Sequence, residues 1–366
     1  MAGVKGIVRK PLSRTRGLVV KKEWFKEGIV VDMSTKPLRS AIIGYGGQFG
    51  MGEAHARQMQ EYGIELVAVC DSDEARAAQA QIDFPGIRTY TDSNLMLAEK
   101  DIDIVVVITP HDSHADLARS VLEHGKHCIL EKPMCIKTED AKMLNQLAAD
   151  LGLMLTVYHN RRWDGWYLTV KELIQEGVLG DIFMVDMFFG GFKKPGPNWR
   201  ADKGKSGGVF YDWGAHFVDW LLGIVTSPIK EVRGFIHNRL WHDITNEDQI
   251  ESIIEFQDGA TAQLQISTIA RAPKDAVRVL GTKGAIVLKK PLDTEITLYS
   301  EIGGQKIESV IPCKPNHYKA FYENISAHLR EGAELIVQGS QAANTIAVLE
   351  MTEISAKEGR AIVFEQ

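Results

Sequence analysis

Two stretches of the 366-residue chain carry side chains whose types and spacing suit acid–base work. In "CILEKPM" (128–134) the apolar run of Cys128, Ile129 and Leu130 stops abruptly in Glu131, Lys132 and Pro133. An ammonium at the end of a buried strand can donate to a substrate hydroxyl and stabilise alkoxide character as hydride leaves the same carbon. The competing reading is a turn lysine paired with Glu131, which would need no apolar lead-in. In "GGVFYDWGAHFVDWLL" (207–222), Asp212 and His216 are four residues apart and Asp219 follows three later. A helix stacks such residues on one face, and an aspartate beside an imidazole is a usual setting for a general base. As metal ligands Asp212 and His216 lack a third partner at matching spacing, so no metal is expected. As structural residues, Asp212 would cap the helix and His216 would sit in the core.

A third stretch, "GYGGQFGMGEAHA" (44–56), suits a phosphate-binding turn. Gly44, Gly46, Gly47, Gln48 and Phe49 form the turn in which backbone N–H groups at a helix N-terminus meet a pyrophosphate. The G-x-G-x-x-G spacing is imperfect, because Phe49 occupies the third glycine's place and the loop carries about three extra residues before Gly52. Asp71 ends the next apolar run, nineteen residues after Gly52, where an acid accepts from the adenosine ribose. A carboxylate there repels a 2′-phosphate, and Ser72 and Asp73 follow with no adjacent arginine, so NAD is expected over NADP.

The elements around these residues alternate. "RSAIIGYG", "IELVAVCD", "DIDIVVVITP", "KHCILEKP" and "LMLTVYHN" read as strands, with helices between them and Thr138 as an N-cap. Apolar strands alternating with helices imply a doubly wound parallel sheet covered on both faces. Ligands bind beyond the carboxyl ends of such strands. That places Thr109 and Pro110 at the cofactor's edge, alongside Glu131 and Lys132; His114 and His111 are candidates for the same edge, with helix capping as an equal competing role. After residue 160 the pattern becomes runs such as "QIESIIEFQDGATAQLQISTI", a hairpin signal. This half is expected to hold a large, open, mostly antiparallel sheet. Tyr158, Arg161, Arg162 and Trp163 lie where the chain passes into it, and Trp163, Trp199 and Trp213 are candidates to stack on a sugar ring. For any single tryptophan, core packing competes with that role.

The expected domains are an extension over 1–37, a nucleotide-binding domain over 38–160 and a substrate domain over 161–366, with a C-terminal helix packing back on the first. The extension holds nine Lys or Arg and three acids, and reads as a loose arm or one that docks on a neighbouring subunit. Net charge is −6, so no nucleic-acid partner is expected. No apolar run approaches the ~18 residues of a membrane span. Four cysteines without disulfide or metal spacing point to a reducing, cytoplasmic setting.

Taken together, strand-"GYGG", Asp71, "EKP", "NRRWD", "LIQEGVLGDI" and D-x-x-x-H-x-x-D resemble the glucose–fructose oxidoreductase / inositol dehydrogenase / MocA family, from about residue 38 to the end. The resemblance implies a Rossmann domain followed by an α/β domain with a large open sheet, a nicotinamide cofactor and a sugar, polyol or glycoside substrate. It also implies a cis Lys132–Pro133 bond and a catalytic Asp212–His216 pair. The reading is an NAD-dependent oxidoreductase in which His216 moves the hydroxyl proton, Asp212 orients His216 and Lys132 stabilises the oxygen. A homodimer or homotetramer is expected. Two rivals compete with it: a glycosidase-like enzyme that uses the same residues, passing through a transient keto-sugar with recycled NAD, and a non-enzymatic dinucleotide or sugar sensor. The sensor has no chemical need for Lys132 beside Asp212 and His216.

Overall fold

The computed structural model describes residues 37–46 and 50–364. The N-terminal extension up to residue 36, and with it Gly47, Gln48 and Phe49 of the turn, lie outside the described residues.

Six short strands form a wholly parallel sheet: β1 (Leu38–Ile43), β2 (Ile64–Cys70), β3 (Arg88–Tyr90), β4 (Ile104–Val107), β5 (His127–Leu130) and β6 (Leu155–Val157). Their order is β3-β2-β1-β4-β5-β6. Strands buried on both faces must be apolar throughout, and all of β4 is excluded from solvent. One apolar core lies on each face. The order reverses between β1 and β4, which opens a crevice beyond their carboxyl ends. The Gly-rich turn, Thr109-Pro110 and Glu131-Lys132 all emerge at that edge. Helices α1 (Met51–Glu61), α2 (Glu74–Asp83), α3 (Ser93–Leu97), α4 (His114–Glu123) and α5 (Thr138–Leu151) connect the strands.

Helix α6 (Gly165–Gln175) leads to a nine-stranded sheet built from β7 (Ile182–Gly190), β8 (Ile229–His237), β9 (Gln249–Phe256), β10 (Thr261–Ser267), β11 (Val277–Gly281), β12 (Gly284–Leu288), β13 (Glu295–Ile302), β14 (Gln305–Pro312) and β15 (Ile362–Val363). Only the β7–β10 pair is parallel. After β7 the chain forms the short α7 (Lys203–Ser206) and then α8 (Val209–Ile224), which covers one face of the sheet. Two C-terminal helices return to the first half. Phe321, Tyr322 and Ile325 of α9 (Ala320–Glu331) share a core with Met59 and Ile64, and α10 (Gly339–Glu358) packs on both α5 and β8.

Three local features differ from the sequence reading. Thr138 is the first helical residue, Lys137 holds the cap position without a side-chain bond, and Glu350 of α10 accepts from the Thr138 N–H at 2.8 Å. A tertiary carboxylate does what the local threonine was expected to do. The strand in "DIDIVVVITP" is confined to Ile104–Val107. The short β3, α3 and β15 carry too little periodicity to be visible in sequence. Among the described residues no helix is long and apolar enough to cross a membrane, and no cluster of three or more His, Cys, Asp or Glu could hold a metal ion.

Candidate active site

The site begins at the turn after β1. Gly44 has φ +88°, and a Cβ there would lie 2.3 Å from the Ile108 carbonyl oxygen, so only glycine fits. In the first turn of α1 a Cβ on Gly52 would lie 2.6 Å from the Tyr45 oxygen. Gly52 therefore supplies the close helix-to-turn approach that the simple motif assigns to its third glycine. Oδ2 of Asp71 accepts from the N–H groups of Tyr45 (3.0 Å) and Gly46 (3.1 Å), and Oδ1 accepts from Asp73 N–H (3.0 Å). The carboxylate thus fixes the turn while it borders the cleft.

A cleft of about 1170 Å³ runs from Gly44, Gly46 and Asp71 to Lys132, Asp212 and His216. Its first half fits a nicotinamide dinucleotide: a turn with no room for side chains, a helix N-terminus behind it, and an acid at the end of β2. Arg76 modifies that picture. Its stem lies where a Cβ of Gly46 would be, 2.0 Å from Arg76 Cδ, and its Nε is 3.4 Å from Asp73 Oδ2. No arginine adjoins Asp71 in sequence, but one turn into the region of α2 the fold returns Arg76 to the ribose end.

At the other half, the Lys132–Pro133 bond is cis. Nζ of Lys132 donates to Asp212 Oδ1 at 2.5 Å and to the Asp212 carbonyl oxygen at 3.2 Å. Burial works to raise the Asp212 carboxyl, but the charge and hydrogen bond of Lys132 outweigh it and bring it to about 2. Asp212 lies in the first turn of α8, so its carboxylate meets the end of β5. No hydrogen bond joins it to His216, contrary to the expected aspartate–imidazole pair. His216 instead stands among rings, with centroids 5.8 Å from Trp213, 6.0 Å from Trp220 and 6.4 Å from His159. Burial, then the positive charges of Lys132 and Arg161 and a contribution from His159, hold its imidazole well below the ordinary range. His216 is therefore neutral at neutral pH. Asp219, on the same helix face, belongs to a separate pair: Arg162 donates to it through Nε (2.9 and 3.1 Å) and Nη2 (2.6 Å).

Thr109, Pro110 and Glu131 line the cleft. Glu131 accepts from Lys132 N–H at 3.0 Å, and its other oxygen is 2.9 Å from His55 Nε2. His55 Nδ1 is in turn 2.5 Å from the Tyr322 hydroxyl. This chain of bonds ties β5, α1 and α9 together behind the site. Two of its members escaped the sequence reading: His55 sits inside the Gly-rich motif, and Tyr322 is 267 residues away. His114 corrects an expectation. It is fully buried and does not line the cleft; its Nδ1 is 2.8 Å from the Pro133 oxygen and its Nε2 2.9 Å from that of Thr109. It holds two strand ends together, whereas His111 reaches the cleft wall, with Nδ1 2.8 Å from the Ser206 oxygen.

Of the residues expected at the substrate, Tyr158, Arg161, Trp199 and Trp213 line the cleft. Arg162 and Trp163 do not. The guanidinium of Arg162 is taken up by Asp219, the Ile336 oxygen and Gln341, and Trp163 packs edge-on against Phe321 in the core. Arg200, next to Trp199, lines the cleft and was not foreseen.

Comparison with known proteins finds relatives over both halves of the chain. The profile described as "Oxidoreductase family, NAD-binding Rossmann fold" matches residues 38–159, and that of the "GFO/IDH/MocA C-terminal domain" matches residues 167–287. The uncharacterized oxidoreductase YdgJ of Escherichia coli is 28% identical over 343 residues, covering 87% of this chain and 96% of its own. The scyllo-inositol 2-dehydrogenase (NADP(+)) IolW of Bacillus subtilis is 26% identical over 352 residues, covering 90% of this chain and 96% of its own. The structure of the putative oxidoreductase yvaA of Bacillus subtilis superposes with a TM-score of 0.81 at 26% identity, over 90% of this chain and 98% of that one.

Proposed function

The chain belongs to the Gfo/Idh/MocA family of NAD(P)-binding oxidoreductases, and on that footing we propose that it transfers hydride between a nicotinamide dinucleotide and a secondary hydroxyl of a sugar, inositol or related polyol. The observation that carries the reading is the placement of Lys132, paired with Asp212, and a neutral His216 on the wall of the cleft that starts at the Gly-rich turn. The similarity to a scyllo-inositol dehydrogenase supports a polyol substrate.

When bound, the nicotinamide supplies the hydride acceptor. His216, uncharged because of burial and the cations beside it, takes the proton of the substrate hydroxyl. Lys132 donates to the same oxygen and stabilises the charge that develops as the C–H bond breaks. Asp212 acts on Lys132 rather than on His216, fixing the ammonium's position and compensating its charge before substrate arrives. In the reverse direction His216 returns the proton. Tyr158, Arg161 and Trp199 border the substrate half of the cleft, with Trp213 beside them.

For the cofactor we favour NAD, because the carboxylate of Asp71 stands where a 2′-phosphate would have to enter. Arg76 favours the opposite, and the relative IolW is named for NADP(+). For assembly, the sheet face away from α8 exposes Phe235, Ile253 and Tyr299 among the described residues, and we take it as the surface that meets a second copy. Incubation of the protein with NAD or NADP and a panel of sugars and polyols tests the function. Substrate-dependent appearance of reduced nicotinamide is expected; none with either dinucleotide across the panel, in either direction, would sink it.

A further inference from the structure

We propose that His55 and Tyr322 are positioning residues of the active site: through the carboxylate of Glu131 they hold the end of β5 so that Lys132 meets Asp212 and the substrate oxygen. The inference rests on the oxidoreductase reading above and extends its machinery into the core behind the cleft.

Side chains from three elements form one line. The Tyr322 hydroxyl, on α9, is 2.5 Å from His55 Nδ1, and His55 Nε2, on α1, is 2.9 Å from Glu131 Oε1 at the end of β5. Glu131 Oε2 accepts from the backbone N–H of Lys132 at 3.0 Å. Each carboxylate oxygen therefore has its own donor, one from a neighbouring helix and one from the residue whose ammonium the mechanism uses. Burial works to raise the Glu131 carboxyl, but the hydrogen bond and charge of His55 and the charge of Lys132 outweigh it and hold it below its ordinary value. An ionised carboxylate has no proton to give, so His55 Nε2 is the donor in their bond. Which ring nitrogen carries a proton is set by the bond that the other one makes, and at Nδ1 that partner is Tyr322.

The line leads from the core to the cleft and not to solvent. His55 and Tyr322 are fully buried, and among the described residues the Tyr322 hydroxyl has no hydrogen-bond partner besides His55. Such a chain offers no outlet for a proton; it holds a group in place. The group it holds is on the cleft wall, where the Glu131 side chain keeps 13% of its surface exposed. A tie between β5, α1 and α9 alone needs no polar atoms, because packed apolar side chains serve without desolvating an imidazole, a phenol and a carboxylate. The polar line adds what packing lacks, a fixed direction for the carboxylate beside Lys132. Helix α1 supports a second cleft residue too: the Tyr158 hydroxyl donates to Gln58 Oε1 at 3.0 Å, and the Tyr158 ring lies 4.2 Å from that of His55. Released from His55, the Glu131 carboxylate would compete with Asp212 for the ammonium of the next residue and loosen the 2.5 Å bond that places it.

Single-turnover hydride transfer at saturating dinucleotide, with the best sugar or polyol found, tests the proposal on the full chain. A thermal melt and a dinucleotide titration accompany each variant. His55→Leu should lower the rate by about 10- to 100-fold, the scale of one hydrogen bond to a charged group. His55→Gln, which can still donate to Glu131, should recover part of that loss. Tyr322→Phe removes one neutral hydrogen bond and should cost about two- to tenfold. The decisive arm is the Glu131→Ala background, where nothing is left for His55 to hold: His55→Leu should there cost about twofold or less. A purely structural histidine would cost the same in both backgrounds and follow the fall in Tm. Where His55→Leu does not fold, Tyr322→Phe with and without Glu131→Ala makes the same comparison. Equal losses in both backgrounds, a near-normal rate in folded His55→Leu, or a Gln variant no better than Leu would each overturn the proposal. No turnover by the unmodified protein with either dinucleotide would sink the oxidoreductase reading and this positioning role with it. Turnover that survives all three single substitutions would overturn the positioning alone.

Discussion

Nζ of Lys132 and Oδ1 of Asp212 lie 2.5 Å apart, although eighty residues separate them in the chain. The strand-end ammonium and the first-turn carboxylate of α8 are thus one unit. Asp212→Asn keeps an acceptor for Lys132 but removes the charge that compensates it. Turnover should fall, and the cost of combining Asp212→Asn with Lys132→Met should be well below the product of the single losses, because groups that act as a unit are not additive. Steady-state kinetics on both single variants and the double variant measure the coupling. Strict multiplicativity would mean that the two residues act separately.

His216 gives a second expectation, in pH. Burial and the neighbouring Lys132 and Arg161 charges hold its imidazole below the ordinary value of about 6.5. In the proposed mechanism oxidation uses the neutral ring, so kcat/KM should stay level on acidification through that value and fall only at lower pH. Lys132→Met removes one depressing charge and leaves Asp212 nearby, so the acidic limb of whatever activity survives should move up. A limb that stays put in that variant would show that the titrating group is not His216.

Stability should follow pH for a related reason. Burial pushes His111, His114, His127, His159 and His216 down in the folded protein. The unfolded chain protonates the same residues near pH 6.5. Between that value and the depressed folded ones the unfolded state binds more protons, so stability rises with pH across the window. Their contribution is fully present above about pH 7 and is lost as pH falls below about 6.5. Thermal melts between neutral and mildly acidic pH should show Tm dropping steadily. A Tm that is flat or rises on acidification contradicts these pKa directions.

On the proposed reading, cofactor choice turns on two opposed side chains. Asp71 both lines the cleft, where we place the ribose, and accepts from Tyr45 and Gly46 N–H. Asp71→Ala should therefore weaken both dinucleotides through the turn, and NAD more than NADP. Arg76→Ala should leave NAD affinity nearly intact and weaken NADP by about tenfold, the scale of one lost charge-assisted hydrogen bond. Fluorescence titration with both dinucleotides reads the ratios directly. NADP affinity untouched by Arg76→Ala would remove the arginine from the site.

Sequence pattern reveals this site where local rules govern it. Strand ends, the Gly-rich turn and Asp71 follow from apolar runs and spacing, and those place Lys132, Thr109 and Pro110 at the cleft. Pairing across the fold is another matter. Asp212 and His216 are neighbours on a helix face, but the helix start aims one at β5 and leaves the other among rings. Arg162 has the type and position of a substrate ligand and is spent on Asp219, 57 residues on. Trp163 fills a core facing α9, which the chain does not form until residue 320. Arg76 required α2 to bring it back beside Gly46. Such partners depend on tertiary placement, and no periodicity encodes them.

The central claim is that Lys132 and His216 act on one substrate oxygen. It is tested most directly by the single-turnover rate of reduced-nicotinamide formation with saturating dinucleotide and the best sugar or polyol found. Lys132→Met should lower that rate by about 10²–10³, the cost of one preorganised donor, with dinucleotide affinity and Tm close to those of the unmodified protein. A near-normal rate in folded Lys132→Met would contradict the account, because the end of β5 would then hold a structural lysine.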